Sequence, residues 1–104
     1  MSCVLTREAH GTGTALGDPS EAGALVAVHG SAGRATPLTV GAAKANVGHS
    51  EAASGQVGLL KVQQLIGQRA SMGNAHLHVL NPLVGQRFGA SAACFVLPIG
   101  AVAL

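Results

Sequence analysis

His10-Gly-Thr-Gly-Thr-Ala-Leu-Gly17 runs straight into Asp18-Pro-Ser-Glu21, and the junction between the two decides the fold. The first stretch is a small, polar loop whose glycines permit tight turns. The second carries the signals of a helix start. Asp18 suits the N-cap, Pro19 the first helical position, and Glu21 stands three residues after the cap, as in a capping box. Ala22, Leu25, Val26 and His29 then recur at helical spacing, and Gly30 supplies a stop, leaving His29 as a helix-end residue near the negative end of the dipole. Upstream, Ser2 to Leu5 is a short apolar run that reads as a strand. Downstream, the polar linker Ser31 to Thr36 leads to Pro37 and a second strand at Leu38 to Ala42. Strand, loop, helix and strand in this order predict a parallel pair with a right-handed crossover.

A second helix is expected from about Ser50 to Gly67, with Ser50 or Asn46 as cap. Its first half, Ala52-Ala-Ser-Gly-Gln-Val-Gly-Leu-Leu60, carries no charge, so the pattern predicts a buried helix. Gly55 and Gly58 each cost about 1 kcal/mol against Ala in a helix interior. A closely packed neighbour is the expected compensation. Beyond Arg69 the pattern weakens: His76 to Leu80 reads as a short extended piece ended by Asn81-Pro82, and Ala92 to Leu97 as a strand stopped by Pro98.

Composition narrows the classes. Ala and Gly make up about a third of the 104 residues, there is no Trp or Tyr, and only 10% of residues are charged. Soluble domains average about a quarter charged. Small side chains bury little apolar area each, so the composition suits close backbone packing within a larger core. The net charge of +2 rests on scattered basic residues, without stacking aromatics, which argues against nucleic-acid binding. No apolar run approaches a membrane span. Cys3 and Cys94 are far apart in sequence and read as reduced thiols. The sequence is silent on compartment.

Ligands of open α/β sheets collect beyond the carboxyl ends of the strands. His10 follows the first expected strand and His49 the second, so both histidines belong on one edge of the sheet. The loop 11–17 lacks the Gly-Lys-Ser/Thr ending of a phosphate loop and the spacing of a dinucleotide fingerprint. His76 and His78 share a strand face but have no acidic or Cys neighbour, so no metal site is expected.

The segment Glu8-Ala-His-Gly-Thr-Gly-Thr-Ala-Leu-Gly-Asp-Pro-Ser-Glu21 resembles the β-ketoacyl synthase (ketosynthase) segment around its first active-site histidine. Gly41-Ala-Ala-Lys-Ala-Asn-Val-Gly-His-Ser-Glu-Ala-Ala-Ser-Gly55 resembles the segment around the second. The resemblance is strong over residues 4 to 67 and weaker from Asn74 to Pro82, which resembles the following segment of polyketide-type ketosynthases. That likeness implies a role in fatty-acid or polyketide synthesis. It implies half of a thiolase-like α/β/α/β/α fold, arranged as strand–loop–helix–strand–loop–buried helix. It also implies decarboxylative Claisen condensation, in which His10 and His49 donate hydrogen bonds to the enolate oxygen of a malonyl thioester. Lys44 matches the motif lysine near the second histidine, where an ion pair with Glu51 would fix His49. Thr12 and Thr14 match the loop bordering the pantetheine arm. No tightly bound cofactor is implied, since substrates ride on the phosphopantetheine of an acyl carrier protein. The implied partners are that carrier protein, the rest of the ketosynthase domain, and a second copy in a homodimer.

The family's nucleophilic cysteine lies in an earlier segment that the 104 residues lack. Neither Cys3 nor Cys94 sits in a cysteine–serine-rich elbow. The glycine-rich segment with phenylalanines expected near the carboxyl end is also absent. The chain therefore reads as the second half of a ketosynthase domain, inactive alone. The alternative reading is a non-catalytic module, a truncated half that pairs with a ketosynthase-like partner.

Overall fold

A computed structural model describes residues 4–31 and 33–104. Along the chain lie β1 (Thr6–Glu8), α1 (Gly17–His29), β2 (Leu38–Gly41), α2 (Lys44–Val47), α3 (Ser54–Gln68), β3 (Ala70–Ser71), α4 (Pro82–Phe88), β4 (Phe95–Val96) and β5 (Val102–Ala103). Single 3-10 segments occupy Glu51–Ala53 and Gly89–Cys94. One sheet has the order β1-β2-β4, with both pairings parallel and Glu8 opposite Gly41. The expected parallel pair joined by a helix is present. β3 and β5 form a separate antiparallel pair.

β2 is buried at all four positions, as the centre of a parallel sheet covered on both faces should be. Leu38 and Val40 join Ala22 of α1, Val84 and Phe88 of α4, and Phe95 of β4 in the core. The rings of Phe88 and Phe95 stack with centroids 4.8 Å apart.

The first strand forms at Thr6–Glu8, not Ser2–Leu5, of which Ser2 and Cys3 lie outside the described residues. Leu5 still accepts the Thr39 amide at 3.0 Å. Apolarity is a poor guide in this strand because its charged side chains are bonded: Arg7 to His29, and Glu8 to Ala43 and Lys61.

α1 starts two residues early, at Gly17 rather than Pro19, and neither Asp18 nor Glu21 caps it. Thr14 Oγ1 accepts the Gly17 amide at 3.1 Å, and the Thr14 and Leu16 carbonyls accept those of Asp18 and Ser20. The turn's amides are thereby satisfied without Asp18 or Glu21, whose carboxylates reach back into the loop instead. At the other end, His29 is buried rather than a charged helix-end residue. Its Nε2 accepts the Arg7 Nε–H at 3.1 Å, which requires an unprotonated nitrogen.

The expectation of a buried second helix fails. The helix begins at Ser54, after the 3-10 turn, and Leu65 is its one buried residue. Leu59, Leu60 and Ile66 stand 69%, 62% and 73% exposed. A Cβ added at Gly55 would meet nothing within 4 Å, so no close neighbour offsets that glycine among the described residues. α4 was not expected. Asn81 caps it by accepting the Leu83 amide at 2.9 Å, and Pro82 takes the first helical position. The predicted strand Ala92–Leu97 narrows to Phe95–Val96, because Gly89–Cys94 coils as 3-10. His76 to Leu80 forms turns rather than an extended piece.

Candidate active site

The sheet delivers both histidines to one edge. His10 lies two residues beyond β1, and His49 follows β2 through the four-residue helix α2. Their ring centroids are 6.0 Å apart, with the planes at 85°. Both side chains are exposed.

The His10 loop is gripped through its backbone. Glu21 accepts the His10 amide at 2.6 Å with one carboxylate oxygen and the Gly11 amide at 2.9 Å with the other. Asp18 accepts the Gly13 amide at 3.0 Å. Gly11 adopts φ 54°, and a Cβ there would lie 2.5 Å from that of Ala42, so glycine is required on two counts. Opposite, Gly48 at φ 78° turns the chain from α2 into His49.

The rings themselves are held by their Nδ1 atoms. Lys44 Nζ lies 3.2 Å from His10 Nδ1 and donates to the His10 carbonyl at 2.7 Å. An ammonium has hydrogens and no lone pair, so Nδ1 must accept. The Glu51 amide donates to His49 Nδ1 at 3.0 Å, with Ser54 Oγ at 3.3 Å from the same atom. A neutral imidazole that accepts at Nδ1 carries its hydrogen on Nε2. Each ring thus offers one Nε2–H donor.

The expected Lys44–Glu51 ion pair does not form, because Lys44 is directed at His10. Glu51 supports His49 through its backbone, in a left-handed conformation with φ 50°. Such a non-glycine residue costs of order 1–3 kcal/mol, a strain that aims the amide at the ring. Thr12 and Thr14 hydroxyls are 3.2 Å apart, and Thr14 is committed to the start of α1. Local spacing points Glu21 to capping and gives Ser54 and Glu8 no part in the site. Their roles depend on tertiary contacts that no local spacing announces.

Two hollows flank the histidines. One, of about 520 Å³, is lined by Thr12, Lys44, Gly48 and His49 on one side and by apolar residues such as Leu25 and Phe88. The other, of about 380 Å³, is lined by Glu8, His10, Lys44 and Ser54. Asn74, buried behind the first, accepts the Ala42 amide and donates to the Val40 and Pro98 carbonyls, which fixes the end of β2. Among the described residues no group of three or more His, Cys, Asp and Glu could hold a metal. No described helix is long and apolar enough to cross a membrane.

Residues 2–78 match the family described as β-ketoacyl synthase, C-terminal domain. The chain belongs to that family. Its relatives are polyketide synthases. This ketosynthase chain is 47% identical over 85 residues to erythronolide synthase EryA2 of Saccharopolyspora erythraea, a match covering 80% of the chain and 2% of the relative. It is 55% identical over 62 residues to the non-reducing polyketide synthase ascC of Acremonium egyptiacum, covering 60% of the chain and 3% of the relative. The ketosynthase chain therefore spans a few per cent of the length of the relatives it matches. No solved structure matches it. The mixed α/β architecture is that of a thiolase-like ketosynthase C-terminal domain, and its two histidine motifs lie within the matched residues.

Proposed function

We propose that this chain provides the enolate-stabilising half of a polyketide ketosynthase site. In the reaction, the bond from the malonyl α-carbon to its carboxylate breaks and CO₂ leaves. The electron pair left behind forms the enolate, with negative charge on the thioester oxygen. His10 and His49 donate their Nε2–H groups to that oxygen. The α-carbon then attacks the carbonyl of an acyl thioester on a cysteine of the other half, forming the new carbon–carbon bond and releasing the thiolate. As the enolate collapses to a ketone-bearing thioester, both donors keep their hydrogens. A donor of this kind contributes roughly 3–4 kcal/mol in the transition state.

The observation carrying this reading is that both Nδ1 atoms accept hydrogen bonds, which leaves two Nε2–H donors on rings whose centroids are 6.0 Å apart. The malonyl group is carried on the phosphopantetheine arm of an acyl carrier protein, with Thr12 and Thr14 bordering the arm. Lys44 and Glu51 hold the rings. The rest of the ketosynthase domain supplies the cysteine, covers the apolar stripe of α3 and completes a homodimer. That stripe, with Leu59 and Leu60 exposed, equally favours a second reading, a module that pairs with a ketosynthase-like half without catalysis.

Mixing the chain with a cysteine-bearing amino-terminal half tests the choice. CO₂ release from malonyl-carrier protein by the mixture, and none by the chain alone, is the expected result. A stable folded complex without turnover would support the non-catalytic module. Turnover by the chain alone would contradict the division of labour between the halves.

A further inference from the structure

Glu8 ends β1, two residues before His10, and its carboxylate joins three elements. One oxygen accepts the Ala43 amide, immediately before Lys44 at the start of α2. The other lies 2.7 Å from Lys61 Nζ on α3, and both side chains are only 13% exposed. Gly41 makes room for this arrangement, and Gly58 borders it. A Cβ at Gly41 would lie 3.1 Å from the Lys61 ammonium, tighter than side chains normally pack, and one at Gly58 would rest against Glu8 Cγ at 3.6 Å.

Each joined element carries part of the histidine constellation. β1 leads into His10, α2 begins with Lys44, and α3 begins with Ser54, which approaches His49 Nδ1. We propose that Glu8 is a positioning residue: by holding the Ala43 amide and Lys61 together, it sets the Lys44 ammonium against His10 Nδ1 and so selects the Nε2–H tautomer of that ring. This rests on the reading of the rings as Nε2–H donors. Without the carboxylate, the peptide before Lys44 has no fixed acceptor, and Nζ, then tied only to the His10 carbonyl, can shift away from Nδ1. His10 then samples both tautomers. The His49 ring, held by the Glu51 amide and Ser54, keeps its own.

The test is ¹⁵N imidazole NMR on the 104-residue chain. In the unaltered protein both histidines are expected to show well-separated nitrogen shifts, protonated at Nε2 and bare at Nδ1. Glu8→Ala should bring the two His10 nitrogens toward a common, averaged shift while His49 stays as it was. Glu8→Gln keeps an oxygen for the Ala43 amide and should restore the His10 pattern. Ala43→Pro removes the same hydrogen bond from the other side without touching the carboxylate. Its φ of −57° is one proline adopts, so this variant decides the matter if Glu8→Ala does not fold. The proposal is overturned if His10 keeps its separated shifts in folded Glu8→Ala or in folded Ala43→Pro, or if His49 averages along with it. A bare Nε2 on His10 in the unaltered chain would instead overturn the functional reading itself, which separates the two failures.

Discussion

His29 is 7% exposed and accepts a hydrogen bond from Arg7, so its proton-binding nitrogen is occupied in the folded chain. Burial, then the charge of Arg7 and that of Arg34, hold its pKa below the ordinary 6.5. The unfolded chain binds a proton near that ordinary value and the folded chain does not. Above it, His29 adds no pH dependence; below it, stability falls with pH until the folded pKa is reached. Urea midpoints compared between pH 7.5 and 5 should therefore drop more for the native sequence than for His29→Gln, which removes the titration and keeps an acceptor for Arg7. At the active edge, Glu21→Ala strands the His10 and Gly11 amides. We expect a loss of about 1–3 kcal/mol in urea unfolding together with lower turnover in the reconstituted domain. Glu21→Gln, with one acceptor left, should lose less of both. The sequence placed His10 and His49 on one sheet edge by their spacing, and Lys44 and Glu51 beside them by its resemblance to the ketosynthase motifs. It misassigned Glu21 and the partner of Lys44, because a carboxylate in a first helical turn has a local use that its tertiary use displaced.

At the scale of elements, α3 is two helices in one. Its inner side carries Lys61, paired with Glu8 of β1, and the buried Leu65, and its outer side leaves Leu59, Leu60 and Ile66 in water. Leu60→Asp should change the stability of the chain by no more than about 0.5 kcal/mol, as surface substitutions do. The same change should sharply weaken pairing with the amino-terminal half, read by analytical ultracentrifugation of the mixture. Lys61→Met should behave in the opposite way, since it leaves the Glu8 carboxylate nearly buried without a counterion. Breaking such a pair costs about 3–5 kcal/mol, and the double variant Glu8→Gln/Lys61→Met should recover much of that loss in urea unfolding. The sequence pattern overstates the burial of α3, because it shows which faces are apolar but not whether the chain supplies what covers them. α4 escapes the pattern for a different reason: Asn81-Pro82 is a sound cap and first position, but the seven-residue helix it opens is too short to show a period.

Across the whole molecule, the parallel β1–β2 pair, the crossing helix and the meeting of two histidines were legible because each has a strong local signature. Caps, breakers and glycine-rich loops mark them, and topology does the rest. The exact extents of β1 and β4 were not, since strands of two or three residues are set by register against β2 rather than by their own composition. The same holds for the small β3–β5 pair, whose two strands lie far apart along the chain. What the fold achieves is the joint placement of two Nε2–H donors at the sheet edge, and one measurement addresses it directly. CO₂ release from malonyl-carrier protein should be followed in the reconstituted domain with His10→Ala, with His49→Ala and with both. Each single change is predicted to lower the rate by about 10²–10³-fold, as loss of one oxyanion donor does, with the complex still assembled. Rates within a few-fold of the unaltered domain in either single variant would contradict the account.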